Sequence, residues 1–433
     1  MGLKRQLSLL ELTLMGVGMI LGAGIYALVG IAGVHAGNSL WLAFAVAGVI
    51  AALTGLSYAE LASMVPEAGS SFNYARHAFK NKDLAFLAGW LLAISSVIAA
   101  ATVSLGFAHY VNALGINPVL LYSAIFVLFL SVFFNIKGLE IAAKVNDVAA
   151  VLEILGLIGV IIIGFALSPH INFGFDMPEG ISGFFSAVAL AFFAFLGFEV
   201  IANEAGEAKN PSKNVPLALI LSVGISIVLY GLVTIAFTSM ASYSQIVSFA
   251  QGSQGALASA VGLVAGAQAL VVLSIVALFS TGNTVLLSIT NASRTLYGMA
   301  VSKALPRLFS QTRNSTPVNA LLFSGFVSLL LLFFAGIETV ANAAVLGMLL
   351  VFALDNFAVI KLRFAEPHTK RPFKLPLNIA NIPLTSLLGV LACLGLFAYS
   401  ALQMPVALGI LAGLVVLGLI LKKVVGGSSS SAR

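Results

Sequence analysis

Uninterrupted apolar runs of membrane length organise this chain. Twelve stand out, at 9–34, 40–64, 85–110, 118–135, 146–167, 181–203, 215–240, 258–293, 317–336, 339–361, 382–402 and 404–421. A helix needs about 20 apolar residues to cross the hydrocarbon of a bilayer. Lipid offers no partners to backbone N–H and C=O groups, so only helices and closed barrels span it. A barrel would alternate apolar and polar residues over strands of about ten residues, whereas these runs are continuous. The runs predict an all-α integral membrane protein of twelve helices, the eighth long enough to protrude well beyond the bilayer.

The loops test that count. With the N-terminus placed inside, all 21 Lys and Arg fall on the inner side, from Lys4 and Arg5 to Lys422, Lys423 and Arg433. The outer loops hold none and carry Asp176, Glu179 and Glu338. A wrong count would scatter basic residues to both sides. The pattern predicts both termini in the cytoplasm and a multi-pass protein of the cytoplasmic membrane.

Several classes are disfavoured. Charged residues make up 8% of the chain, against about 25% in soluble domains. The basic excess reads as topology rather than nucleic-acid binding. The single cysteine, Cys393, excludes a disulfide framework and a cysteine metal site. The histidines (35, 77, 109, 170 and 368) are scattered with no metal-spaced pair. An enzyme is therefore not expected, nor a metal, a cofactor or an obligate protein partner. No sizeable soluble domain suggests a receptor, although a transporter-like sensor stays open. The first run is too long for a signal peptide and lacks a cleavage site. Residues 1–423 read as one transmembrane domain, and 424–433, ending GGSSSSAR, as a flexible tail or expression remnant.

The first run contains GVGMILGAGIY at 16–26, four of whose eleven residues are glycine. Gly18 and Gly22, four apart, suit close helix packing. Gly22 and Gly24 lie on different faces, so one contact does not explain both, and they mark a place where the helix opens at low cost. The sixth run, FFAFLGFEVIANE at 192–204, has Gly197 at mid-depth followed by Glu199, a costly acid facing a partner or a watery cavity. Paired interruptions five spans apart point to an inverted repeat with a substrate site between them. Opened helices free N–H groups for a carboxylate and C=O groups for an ammonium or cation, which suits a zwitterion.

Together these segments resemble the permeases of the amino acid–polyamine–organocation superfamily over nearly the whole length. GVGMILGAGIY resembles the family's first-span signature, and YAELASMVPEAGSSFNYARHAF (58–79) its second span and first inner loop. FFAFLGFE and AKNPSKNVPLA (208–218) resemble the sixth span and the following loop. ALFSTGNTVLLSITNASRTLYGMA (277–300) resembles the eighth span, and RPFKLPL (371–377) the loop after the tenth. The resemblance implies a leucine-transporter-like 5+5 inverted repeat, 1–167 and 181–361, with two peripheral helices at 382–423. It implies alternating-access transport of amino acids, coupled to protons or sodium or run as exchange. Backbone of Gly22, Ala23 and Gly24 would bind the substrate carboxylate. Carbonyls near Met19 and Ile20, and near Phe193 and Phe195, would meet the ammonium beside Leu196 and Gly197. Phe193 or Phe195 would act as an aromatic gate; ordinary packing is the alternative for either.

Relatives of this architecture place a cation between spans 1, 5 and 8. Here that position matches the carbonyls of Gly18 and Leu21 and the hydroxyls of Ser280 and Thr281, which could equally bond back to their own helix. On span 5, where some proton-coupled relatives carry lysine, this chain has Glu153. Burial disfavours a charged carboxyl, so Glu153 is expected to bind and release a coupling proton, favoured here over sodium; the alternatives are a permanently neutral carboxyl or one paired with Lys144 or a hydroxyl. Glu199 is a second candidate relay. Asp355 reads as a gate, a relay or a plain cavity-facing carboxyl, and Glu60 and Glu11 as solvated or loop-bracing residues. In NEAGEAKNP the family's adjacent acids are reduced to Glu207 after Gly206. With Ile98, Ala99, Val103, Phe193 and Phe195 as wall, the expected substrate is a neutral, small or apolar amino acid. Exchange of amino acids or polyamines remains an alternative, because carbonyls and aromatic faces also hold cations.

Overall fold

A computed structural model describes residues 7–66, 70–116, 119–137, 139–252, 255–313, 316–333 and 336–430, with backbone only at 23, 139–144 and 424–430. Lys4, Arg5, Arg433 and the Lys144 side chain lie outside the described residues, as does the very end of the expected tail.

The chain is a helical bundle. Its helices are α1 (Leu9–Ala23), α2 (Ile25–Ala36), α3 (Leu40–Met64), α4 (Ser70–Phe79), α5 (Lys82–Ala113), α6 (Leu120–Lys137), α7 (Leu139–Leu167), α8 (Gly180–Ala194) and α9 (Glu199–Asn203). There follow α10 (Pro211–Met240), α11 (Tyr243–Gln251), α12 (Ala256–Ala265), α13 (Ala267–Val301), α14 (Val318–Leu331), α15 (Ile337–Ala365), α16 (Leu384–Gln403) and α17 (Pro405–Ser430). Among the described residues, ten segments are helical, long and apolar enough to cross a membrane, with Ile25–Met64 running as one, and three shorter apolar helices accompany them. The described strands are two-residue pieces, 378–379 and 382–383, in the loop before α16.

Local sequence explains the helix starts. Ser8 and Glu11 close a capping box at α1, satisfying amides that have no partner in the first turn. The Asn81 side chain caps α5. Pro211 opens α10, where its missing N–H costs nothing. The long eighth run divides into α12 and α13 at Gly266, whose φ of +85° only glycine adopts easily, and α13 alone, at 35 residues, is still longer than a bilayer crossing needs.

Packing sorts the bundle into an inside and an outside. Helices α5, α8–α9 and α15 are mostly buried, while α6, α7, α16 and α17 leave much of their apolar surface exposed, as lipid-facing helices do. Helices α5 and α13 pack along each other, as do α3 and α10, and α1 is enclosed by α7, α10 and α13. This puts α1, α2, α8 and α9 at the centre.

Candidate functional site

The break between α8 and α9 is built by closures that a helix interior would not tolerate. Phe195 N–H and Leu196 N–H fold back to the carbonyls of Phe192 and Phe193 at 3.0 and 3.1 Å. Gly197 then turns with φ +127°, a region closed to residues with a side chain. A Cβ there would also lie 2.5 Å from Met19 Cγ on α1. The Gly197 N–H donates to Glu199 Oε2 at 2.9 Å, so an acid from the restarting helix satisfies a freed amide.

The interruption of the first run is narrower than its glycines suggest. Gly24 alone separates α1 from α2, and it keeps right-handed angles, φ −104° and ψ −44°. Leu28 N–H still reaches Gly24 O at 2.8 Å. Space, rather than unwinding, calls for glycine here. A Cβ on Gly24 would lie 2.0 Å from Ala194 Cβ, and one on Gly22 would lie 2.1 Å from Thr284 Oγ1 and 2.8 Å from the Ser280 carbonyl. Gly18 fits against Ala150 and Asn146 in the same way. The glycine face thus lets α1 and α2 approach α7, α8 and α13 closely.

Tyr230 of α10 joins the two interrupted helices. Its hydroxyl lies 2.5 Å from the Ile20 carbonyl and 3.0 Å from the Ala194 carbonyl. One hydroxyl hydrogen serves both, and Phe44 and Phe195 hold the ring edge-on. The Ile20 carbonyl, expected to meet a substrate ammonium, is therefore occupied by Tyr230 in this state.

Beside the break lies a cavity of about 20 Å³, room for a water molecule or two and too little for an amino acid. Met19, Phe193, Leu196 and Gly197, read above as substrate residues, line it, and so does Glu199, read above as a relay candidate. Ile20, Gly22, Gly24, Ile98 and Phe195 are buried nearby without lining it, and the Ala23 side chain lies outside the described residues. Ser95, Ser96 and Ala99 of α5, Thr284 and Ser288 of α13, and Met348 of α15 complete the wall. Of these, only Ala99 is among the residues proposed from sequence. The adjacent serines 95 and 96, polar in an otherwise apolar run, were the available signal. Ser95 Oγ and Ser288 Oγ have no hydrogen-bond partner in the protein.

The expected coupling residues gather between α1, α7 and α13. Glu153 is fully buried. It faces α1 and α13 at Gly22, beside Thr284 and the Ser280 carbonyl, and both its carboxyl oxygens and Ser280 Oγ stay unpartnered. Thr281 differs, its hydroxyl being bonded back to the Ala277 carbonyl at 2.7 Å. The hydroxyl against Gly22 belongs to Thr284. Glu199, across α1, is engaged at the α8–α9 break.

Ionic contacts close the two ends. At one, His35 stands between Glu179 Oε2 (2.5 Å from Nδ1) and Glu338 Oε1 (3.1 Å from Nε2), which ties α2, the segment before α8 and the start of α15. Only an imidazolium donates to both carboxylates. At the other end, Arg294 of α13 pairs with Glu204 and with Glu207, the latter at 3.4 Å. A cavity of about 130 Å³ lies there, lined in part by Glu11, Asn146, Glu207 and Arg294. Glu11 caps α1, a bracing role. Glu60 is not solvated: it is 1% exposed, takes both Nε and a terminal nitrogen of Arg363 at 2.8 and 2.6 Å, and accepts the Leu375 N–H. Arg371 adds a contact at 3.2 Å. Asp355 accepts the Ser71 hydroxyl at 2.6 Å at the start of α4, and Ser71 in turn meets Tyr58, so this acid anchors the loop helix.

The fold is that of a multi-pass helical membrane protein with a small, mainly apolar cavity buried beside the break in its sixth run. The chain belongs to the amino acid permease family, whose model matches residues 7–417, within the amino acid–polyamine–organocation superfamily. It is 32% identical to the branched-chain amino acid permease BcaP of Bacillus subtilis, covering 90% of this chain and 87% of that one. It is 31% identical to the methylthioribose transporter of the same organism, covering 92% and 88%. With human cationic amino acid transporter 4 the identity is 30%, over 84% of this chain and 60% of the relative. These relatives are transporters, and the chain is a permease rather than an enzyme.

Proposed function

We propose that the protein moves a neutral, apolar amino acid across the cytoplasmic membrane by alternating access, coupled to protons. The carrying observation is the cavity at the α8–α9 break. Its wall is mainly methionine, phenylalanine, leucine and small hydroxyls, and its one acid, Glu199, already accepts the Gly197 amide. A cationic side chain would find there a single carboxylate, already shared with the Gly197 amide. The similarity to a branched-chain permease supports this reading; the similarities to cationic amino acid and methylthioribose transporters keep the substrate a matter for experiment.

In this proposal the chain makes twelve spans, α1–α2 and α8–α9 being the first and sixth. Interruptions at Gly24 and at 195–198 support a 5+5 repeat with α16 and α17 outside it. The one-sided distribution of Lys and Arg supports cytoplasmic termini, which puts Arg294 inside and His35 outside. The site is too small for substrate in this state, so entry requires the half-helices to part. Glu153, buried and unpartnered, carries the proton. Proteoliposomes given a labelled amino acid panel, with and without pH and sodium gradients, test the proposal. Uptake of branched-chain or other neutral amino acids driven by the pH gradient is expected. Strict sodium dependence, a preference for arginine or lysine, or binding with no transport would each overturn it. For the proton carrier, a Glu153→Gln protein that kept its full pH response would remove the assignment.

A further inference from the structure

The small cavity at the α8–α9 break and the larger one beside Arg294 follow each other along the same three segments. On α1 the small cavity takes Met19 and the larger takes Met15. After the break the small one takes Glu199 and the larger takes Val200 and Glu204; on α13 the small one takes Thr284 and Ser288 and the larger takes Leu287 and Asn291. The offset is about one helical turn, near 5 Å. A single layer of side chains stands between the two. Met19, Val200 and Leu287 form a buried cluster of their own, apart from the main core, with Met15 packed against it. Beside this apolar patch, Asn291 Nδ2 donates to Ser96 Oγ at 3.1 Å, and Asn291 Oδ1 accepts Asn203 Nδ2 at 2.6 Å. Ser96 belongs to the wall of the small cavity. We infer that this layer is the inner gate of the substrate site: an amino acid bound at the break reaches the cytoplasm by passing Met15, Met19, Val200 and Leu287 into the cavity beside Arg294. The inference rests on the orientation proposed above, which puts Arg294 inside.

The two sides of the layer part by different physics. The four apolar side chains exclude water while they touch, and dispersion and apolar burial hold them. Separating them leaves no unpaired polar group among them. On the polar side, Asn291 and Asn203 lose each other when α9 leaves α13, but both amides then face the water of the widened cavity, which takes over the bond. Backbone hydrogen bonds make α1 and α9 move together. Leu7 N–H donates to the Glu207 carbonyl at 3.0 Å, and the Leu7 carbonyl accepts the Lys209 N–H at 2.8 Å, joining the chain that enters α1 to the chain that leaves α9. Arg294 ties this pair to α13 through Glu204 and Glu207. Opening is therefore a parting of α1 and α9 from α13. It breaks the ion pairs at the mouth and splits Met15, Met19 and Val200 from Leu287 behind them.

Access to the small cavity reads the gate without reference to the amino acid carried or to its coupling. Ala99 lines that cavity and supplies the probe as Ala99→Cys, with the native thiol removed by Cys393→Ser. Cells expressing the full chain yield right-side-out and inside-out vesicles, and labelling by a charged, membrane-impermeant methanethiosulfonate is timed on each. Leu287→Ala and Val200→Ala thin the layer. Each is expected to speed labelling from the cytoplasmic face by about tenfold or more, with no rise from the outer face. Leu396→Ala on α16 truncates a buried leucine away from the layer; it controls for general loosening and should leave both rates unchanged. Unchanged cytoplasmic labelling in both layer variants, or the same acceleration in Leu396→Ala, overturns the gate. Acceleration from the outer face alone overturns the inner assignment together with the proposed orientation, whereas a failure of the proposed substrate or coupling leaves these rates as they are.

Discussion

Replacing Gly24 by alanine separates two accounts of the glycine-rich first run. The added Cβ would lie 2.0 Å from Ala194 Cβ and 2.1 Å from Ala194 Cα. Carbon atoms settle at about 3.5–4.0 Å, so α8 and the α1–α2 junction must separate by roughly 1.5 Å. The obstacle includes main chain, which no rotamer change relieves. Overpacking of this kind costs about 1–3 kcal/mol. Against it stands the helix preference of alanine over glycine, up to about 1 kcal/mol, available because Gly24 keeps right-handed angles. The separation also stretches the Tyr230 bridge between Ile20 and Ala194, at about 1 kcal/mol for a hydrogen bond. The expected result is a net loss of about 1–3 kcal/mol, read as a lower melting midpoint of purified protein in detergent, together with impaired uptake. Gly224→Ala on α10 is the control. No atom lies within 4 Å of its Cβ position, so the midpoint should hold or rise. A Gly24→Ala protein as stable and active as the parent would refute close approach as the reason for this glycine and restore a loose, openable joint.

Two further outcomes follow from buried polar contacts. Tyr230→Phe keeps the ring against Phe44 and Phe195 but strips a donor from two buried carbonyls, at about 1–3 kcal/mol; a substrate-free melting midpoint equal to the parent's would argue that the bridge contributes nothing. Glu60→Gln leaves the guanidiniums of Arg363 and Arg371 buried without their carboxylate, a loss of about 3–5 kcal/mol. It should appear as poor recovery of monodisperse protein on size-exclusion chromatography, and normal recovery would contradict the pairing.

The class of the protein was legible in the sequence because lipid imposes it. Continuous apolar runs and one-sided basic loops are one-dimensional consequences of a slab-shaped solvent. The break at Gly197 was legible too, since a glycine two residues before an acid at mid-span costs an unbroken helix both stability and desolvation. Less was legible where function depends on which helices touch. Thr281 and Thr284 lie three residues apart on α13 and both hydroxyls bond back to their own helix, and composition alone does not say that Thr284 is the one that meets Gly22.

By itself, the sequence determined a helical membrane permease with an interrupted sixth span and a buried Glu153. Tertiary structure decided the rest. It made Gly24 a point of contact with Ala194, set Tyr230 across two carbonyls 174 residues apart in sequence from Ile20 to Ala194, turned Glu60 from a solvated acid into a buried anchor, and brought Asn291 beside Ser96. The physical reason is that periodicity and burial cost are written along a chain, whereas a hydrogen bond or a clash between distant helices exists only once their rotation and spacing are set.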